Sequence, residues 1–383
     1  MGNGVLTDNQ KIFSFTGFRF IFIMVIVLSH FEFLGELENF GYFYKTFMHN
    51  ATFGVDFFFL LSGFGMMLSN LNKVPDDEMN KPCISNSIKY GINHVKKIYP
   101  VYIATILVGL LWNICIAFYS NATLWKSIIK EFIKLIINIP LLQSSTGMMF
   151  FTHAYNGVTW FLSCLFCIYL FSPFFMYILR KISKSNLLNI IFIVLNIILI
   201  IGLTYPFEIL ENKISQIPHI PNLDYLVYGS PYRRIFYVLI GMNIAMIFTR
   251  IKKDCTKSKD GSLYEIVIAT FVLIYFFTRK SLPAGKYKYL IDCILCTLFI
   301  FIFAFDNGCI SKLMKKDFFQ KYGNMAMYIF LIHYPIRIYF VSIMNKVIGF
   351  NCYIAITEVI VILVSTFVIS NLVYHRKNII KVK

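Results

Sequence analysis

An arginine and a histidine lie eleven residues apart in the first long apolar segment of the chain, RFIFIMVIVLSH, which runs from Arg19 to His30. On an α-helix this spacing makes about three turns plus 20°, so both side chains lie on one face, about 16 Å apart along the axis. An arginine inside a membrane span costs about 2.5–3.5 kcal/mol at the helix centre and usually faces a cavity or a partner. Either residue alone is explained by snorkelling or by a place at the interface. The pair on one face favours a functional polar site.

The second apolar segment, FGVDFFFLLSGFGMML, carries the carboxylate of Asp56 at a depth comparable to that of His30. A carboxylate beside an imidazole raises its basicity and fixes its tautomer, so we predict that Asp56 orients His30. The alternative is that Asp56 only starts a helix near the lipid headgroups. Ser62 and Gly63 follow in the same segment, where small residues allow close helix packing.

The composition indicates an all-α integral membrane protein. Of 383 residues, 58% are hydrophobic and only 14% are charged, whereas soluble domains carry about 25% charged residues. The net charge of +17 does not indicate nucleic-acid binding, because the Lys and Arg residues lie in short loops between apolar runs, as positive-inside topology requires.

Apolar runs long enough to cross a bilayer, about 20 residues each, predict about ten transmembrane helices. The predicted spans are 12–33, 50–70, 98–119, 158–179, 187–205, 232–249, 262–278, 289–305, 324–344 and 352–374. The segment near 126–142 has Lys126, Lys130 and Lys134 on one stripe and is predicted to be an interfacial helix. Segment 206–231 contains four prolines and is predicted to be a non-helical cover on the outside.

Charge counting favours ten spans with both termini in the cytoplasm. This topology places 22 Lys and Arg residues inside and 10 outside. If 126–142 also crossed the membrane, the counts would become 12 inside and 17 outside, against the positive-inside rule. We therefore predict a single membrane-embedded domain over residues 1–383, with no fused soluble domain, in the plasma membrane of a bacterial cell.

The sequence lacks the spacing of a metal or redox centre. Cys164 with Cys167 and Cys293 with Cys296 have CxxC spacing, but two thiols on one helix turn are too few ligands, so we interpret them as packing residues. There is no Gly-x-Ser-x-Gly elbow and no Gly-rich phosphate loop. We predict no metal and no permanently bound cofactor.

Five segments in order resemble the acyltransferase-3 family of multi-spanning membrane O-acyltransferases, over about residues 10–375. They are the Arg–ten residues–His pattern of Arg19 and His30, GVDFFFLLSGF (54–64), TWFLSCLFCIYLFSPFF (159–175), RIFYVLIGM (234–242) and AMYIFLIHYPI (326–336). The chain departs from the family where it has Tyr237 in place of an acidic residue, and Ala326 with Met327 in place of Ser-Tyr.

The resemblance implies transfer of an acyl group, usually acetyl, from acetyl coenzyme A in the cytoplasm to a hydroxyl of a glycan or lipid-linked sugar. Arg19, with Lys96 and Lys97, would hold the phosphates of the donor. The pantetheine arm would follow the first helix and place the thioester near His30. His30 would take the proton of the acceptor hydroxyl, and a covalent acyl-histidine is the second variant.

Other residues have open roles at this point. Ser62 and Trp160 are candidates for stabilising the oxyanion. Arg234 matches the family pattern and is a candidate site residue, while its neighbour Arg233 is interpreted as an interfacial anchor. His333 has Arg337 four residues further on, which predicts either a polar pair within the bundle or direct substrate contact.

Two alternatives use the same intramembrane charges. A transporter or flippase also keeps Arg, Asp and His in a buried pathway, but the sequence shows no inverted repeat and no paired broken helices. A partner protein that only moves an acyl group across the membrane is the other alternative. The sequence leaves homo-oligomerisation open.

Overall fold

The computed structural model describes residues 11–37, 40–48, 50–74, 81–119, 124–217, 222–254, 260–282, 286–347 and 352–382. Every regular element within these ranges is helical, so the all-α prediction is confirmed. Helices dominate because the apolar runs are long and because a helix satisfies its own backbone hydrogen bonds in lipid.

The longer helices are numbered in chain order. They are α1 (Phe13–Ser29), α2 (Ala51–Lys73), α3 (Ile84–Val95), α4 (Tyr99–Tyr119), α5 (Leu124–Asn138), α6 (Trp160–Ile182), α7 (Asn186–Ser215), α8 (Pro231–Asp254), α9 (Ser262–Thr278), α10 (Lys286–Phe303), α11 (Asp317–Val347) and α12 (Cys352–Val382). Short helical segments are Glu32–Glu36, Gly41–Phe43, Tyr44–Met48, Gln143–Thr146, Met149–Thr152, Leu226–Gly229, Arg279–Ser281 and Cys309–Met314.

Each of the ten predicted spans falls on one of these helices. Among the described residues, eight helices are long and apolar enough to cross a membrane. The other two predicted spans are α1, an apolar helix of 17 residues, and α10, which has Lys286, Lys288 and Asp292 in its first two turns. The chain is therefore an integral membrane protein. The cytoplasmic location of the termini stays a prediction, and we call the Arg19 end of the bundle its inner side on that basis.

Helix α5 does not span the bundle, as its charge pattern predicted. Its 15 residues measure about 22 Å, less than the ~30 Å hydrocarbon core. It packs antiparallel to α4. Asn113 Nδ2 donates to Glu131 Oε2 at 3.2 Å near one end, and Tyr102 Oη donates to the Asn138 carbonyl at 2.5 Å near the other.

The predicted non-helical cover at 206–231 is partly wrong. Helix α7 continues through Pro206 to Ser215, and Leu226–Gly229 forms another short helical turn. A proline removes one backbone hydrogen bond, and the surroundings of a membrane helix can satisfy the freed groups. Pro218 and Pro221 lie outside the described residues.

Close packing fixes α1 and α2, the helices that carry the predicted site. A Cβ on Gly63 of α2 would overlap the carbonyl oxygen of Val238 on α8, and a Cβ on Gly241 would overlap that of Leu60. These reciprocal contacts confirm the predicted packing role of Gly63. Helix α1 lies between α2 and α11, through ring contacts such as Phe22 with Phe57 and Phe20 with Tyr322.

Candidate active site

The imidazoles of His30 and His333 are hydrogen-bonded to each other. His30 is the residue that caps the C-terminus of α1, and His333 lies on α11. His333 Nε2 is 3.1 Å from His30 Nδ1, and His333 Nδ1 is 3.1 Å from the Ile329 carbonyl oxygen. His333 is fully buried and His30 is half-buried. The structure therefore brings together His30, the predicted base, and His333, for which the sequence predicted no contact with His30.

The partners determine the tautomers of both rings. A carbonyl oxygen only accepts, so Nδ1 of His333 must carry a proton and donate it to Ile329. In the neutral ring, Nε2 of His333 is then an acceptor, and His30 Nδ1–H donates to it. Nε2 of neutral His30 is left with a free lone pair. This is the nitrogen that can take a proton from a substrate.

Arg337 does not pair with His333, contrary to the sequence-based pairing. Arg337 Nη2 lies 3.9 Å from Oε2 of Glu32. His333, one turn earlier on α11, is hydrogen-bonded to His30 instead. Tyr334 packs edge-on against His30, with ring centroids 5.4 Å apart. The histidine pair lies near the middle of the 31-residue helix α11.

Asp56 is paired with Arg234, so its predicted contact with His30 is wrong. Arg234 Nη1 donates to Asp56 Oδ1, and both side chains are buried. Arg234 Nε also donates to the Tyr228 carbonyl at 2.8 Å. Because an arginine on α8 is available to neutralise it, the carboxylate links α2 to α8 instead of orienting the base. Arg234 is thus buried inside the bundle beside Asp56, and the role in the site that the family match implied stays a prediction.

Arg233 is fully buried, so its interpretation as an interfacial anchor is wrong. It donates to the carbonyls of Ile200 and Val227, both at 3.2 Å, and its guanidinium lies 4.0 Å from the ring centroid of Tyr289. Backbone carbonyls and an aromatic face compensate the buried charge without a headgroup.

Trp160 lies with the Asp56–Arg234 pair. Its ring is 5.9 Å from the Arg234 guanidinium, and it packs on Phe59, Tyr225 and Tyr228. These contacts give Trp160 a packing role around the ion pair. They do not bring it to the histidines, where an oxyanion donor would be needed.

Arg19 faces an open cavity of about 360 Å³ on the inner side of the bundle. The guanidinium is exposed within this cavity and makes no ion pair with any described carboxylate. The walls come from α1, α2, α3 and α6. The polar side chains that line the cavity are Arg19, Ser62, Ser69, Asn70, Lys73, Tyr90, His94 and Tyr169.

The cavity differs from the predicted donor site in its lysines. Lys96 and Lys97 are exposed just after α3 and do not line it. Lys73, at the end of α2, and His94, on α3, take their place. Desolvation lowers the pKa of His94, the hydrogen bond to the Tyr90 carbonyl opposes part of this shift, and Lys73 lowers the pKa further. Arg19 and Lys73 therefore supply the charge of the cavity.

Ser62 belongs to the Arg19 cavity and not to the histidine pair. Its hydroxyl donates to the Phe58 carbonyl at 2.7 Å, and the Tyr169 hydroxyl is hydrogen-bonded to it. The hydroxyl proton is therefore used within its own helix. Its predicted alternative as an oxyanion donor near His30 is not supported by this placement.

A narrow apolar gap lies between the Arg19 cavity and the histidine pair. Its volume is only about 20 Å³. Ile23 and Ile26 line it from α1, between Arg19 and His30 in sequence. The remaining lining residues are Val55, Phe58, Phe161, Ala326, Met327 and Phe330. The site thus has three parts in order: a cationic cavity, an apolar gap and a basic imidazole.

A comparison with protein-family models matches residues 12–375 to the model described as "acyltransferase domain". Neither the search of curated proteins nor that of solved structures gives a match. The matched range contains all three parts of the site.

Proposed function

The chain belongs to the acyltransferase-3 family, and from this premise we propose that it is an O-acetyltransferase. The donor is acetyl coenzyme A, bound from the inner side, and the acceptor is a hydroxyl of a cell-surface or lipid-linked glycan. The observation that carries the proposal is the hydrogen bond from His30 to His333, because it leaves Nε2 of His30 as a free base.

The proposed reaction uses that nitrogen twice. The acceptor hydroxyl attacks the thioester carbonyl while His30 Nε2 takes its proton. The tetrahedral intermediate then expels the coenzyme A thiolate, which takes the proton back from His30. His333 keeps its Nδ1 proton, which it donates to the Ile329 carbonyl, so its Nε2 stays an acceptor for His30. It orients His30 and accepts a hydrogen bond from the imidazolium, so it is a positioning residue.

The Arg19 cavity is suited to the phosphates of the donor. It offers Arg19 and Lys73 as cations, and none of the described residues that line it is a carboxylate. Guanidinium groups bind phosphate oxygens through charge-assisted hydrogen bonds. Arg19 and His30 are about 16 Å apart along a helix, so a long, thin pantetheine arm can join the two positions, as a compact donor cannot.

Passage of the arm requires the apolar gap to widen. A volume of about 20 Å³ holds little more than one water molecule. Phe58 and Phe330 lie on opposite walls, on α2 and α11, and their rotation would join the cavity to His30. A gap this narrow keeps water and ions from crossing the bundle beside the base. This restriction supports a transferase over a transporter.

Arg19→Ala should raise the KM for acetyl coenzyme A by about 10- to 100-fold, because one charge-assisted contact to phosphate is lost. The KM for the acceptor should change less than threefold. Steady-state kinetics of purified protein in nanodiscs, with each substrate varied, measures both constants. Lys97→Ala is the matched control, since Lys97 is exposed outside the cavity. An unchanged donor KM in Arg19→Ala contradicts the phosphate role.

Mass spectrometry of the surface polysaccharide, from cells with and without the gene, tests the proposed function. We expect O-acetyl groups, an added 42 Da per modified residue by acetyl chemistry, only when the gene is present. Restoration by the wild-type gene is the control. Identical polysaccharide in both strains, with all other surface glycans also unchanged, would contradict the proposal.

A further inference from the structure

A second, larger cavity lies outside the site described above. It has a volume of about 800 Å³, within the range of about 300–1,000 Å³ usual for ligand sites. Helices α4 and α5 and the short helix Met149–Thr152 form its walls, and we call it the α4–α5 groove. Its apolar lining residues are Ile114, Ile116, Ala117, Phe118, Ile128, Met149, Phe150 and Ala154.

One cation in the α4–α5 groove is not neutralised. Glu131, the groove's acidic residue, receives hydrogen bonds from Lys134 Nζ at 2.8 Å and from Asn113 Nδ2 at 3.2 Å. Lys134 also lies over the ring of Phe150. Lys130 is exposed and has no ion pair with any residue that the structure describes. The groove therefore combines apolar walls with a net positive charge at Lys130.

The far end of the groove leads towards the histidine pair. His153 lines the groove, and the chain from it reaches α11 within four residues. Asn156 Nδ2 donates to the Leu331 carbonyl at 2.9 Å, and Gly157 packs against the ring of Tyr334. Tyr334 is the residue that lies edge-on to His30. These contacts place the His153 end of the groove next to α11, the helix that carries His333.

We propose that the α4–α5 groove binds the lipid carrier of the acceptor, a sugar attached through phosphate to a single apolar chain. The chain lies against the apolar walls, the phosphate meets Lys130, and the sugar lies at the His153 end of the groove, on the side of the bundle that holds His30. This inference rests on the proposed function. A free glycan has no apolar chain to contact the apolar walls. An ordinary membrane phospholipid carries no sugar hydroxyl to be acetylated at His30.

The experiment measures lipid binding to the full-length protein in detergent by native mass spectrometry, with farnesyl phosphate as the probe. Lys130→Glu should weaken binding by about tenfold, the value of one charge-assisted contact. The matched control is Lys126→Glu, one turn earlier on α5, exposed and outside the groove. It should bind within about twofold of wild type. Ile128→Trp, which fills the groove, should also weaken binding.

Phosphatidylglycerol serves as the competitor. We expect it to bind weakly, with equal affinity for wild type and Lys130→Glu. Equal loss of farnesyl phosphate binding in both lysine variants would overturn the proposal, as would phosphatidylglycerol binding with the same dependence on Lys130. His30→Ala should bind farnesyl phosphate as wild type does. Normal lipid binding without any acetyl transfer therefore contradicts the proposed function alone, and acetyl transfer with no Lys130-dependent binding contradicts this inference alone.

Discussion

His30→Ala should lower acetyl transfer by about 10²–10⁴-fold, the usual contribution of a general base. The fold should persist, because His30 is half-buried and follows the last turn of α1. The measurement is the rate of coenzyme A release in nanodiscs at saturating donor and acceptor. Retained turnover in a protein that is inserted and monodisperse would contradict the assignment of the base.

Variants of His333 distinguish a residue that positions His30 for catalysis from one that only stabilises the fold. Glutamine at position 333 still offers a carbonyl oxygen to His30 Nδ1–H, whereas alanine does not. We expect His333→Ala to lose about a hundredfold in turnover through misorientation of the base, and His333→Gln to recover part of that loss. KM for the donor should be unchanged in both. Equal activity of the two variants would show that the hydrogen bond to His30 has no part in catalysis.

The general-base and acyl-histidine variants differ in one observation. With radiolabelled acetyl coenzyme A and no acceptor, a base leaves the protein unlabelled, whereas a nucleophile gives a stoichiometric acetyl group on His30. The geometry serves both variants, because the hydrogen bond that fixes the tautomer leaves His30 Nε2 free to take a proton or to attack the thioester, so the labelling result decides between them.

The sequence predicted the helices because their signal is local. Ten apolar runs of sufficient length, together with the basic stripe of α5, can be identified without knowing their neighbours. The helix that carries Arg19 and His30 was predictable for the same reason. Where a helix ends is less certain, as α7 shows by continuing through Pro206.

The pairing of side chains could not be predicted in the same way. The position of Asp56 along its helix predicts a depth in the membrane similar to that of His30. Which neighbour a side chain contacts depends instead on how each helix is rotated about its own axis. Asp56 meets Arg234 on α8, and His30 meets His333 on α11, 303 positions away in the chain. Both partners were identified as candidates. Their partnership depends on helix packing, for which the sequence carries no local signal.

Asp56→Ala should destabilise the protein by about 3–5 kcal/mol, because it leaves the guanidinium of Arg234 buried without its carboxylate. This differs from the effect expected if Asp56 oriented His30, which would be slower turnover in an intact fold. The measurement is thermal unfolding in detergent, monitored as the loss of the monodisperse peak in size-exclusion chromatography. The control is Lys315→Ala, which removes a partly exposed ion pair with Asp306 and should cost at most about 1 kcal/mol.

A double variant tests whether the charged groups of Asp56 and Arg234 are needed for catalysis, or whether each is needed only to neutralise the other in the protein interior. Replacing a buried ion pair by apolar residues of similar volume is often neutral or stabilising. Asp56→Leu with Arg234→Met should therefore recover most of the stability that either single change loses. If it also recovers turnover, the pair only joins α2 to α8. If it folds like wild type but does not transfer acetyl groups, Asp56 or Arg234 contacts a substrate, because the histidine pair does not depend on either residue for a hydrogen bond.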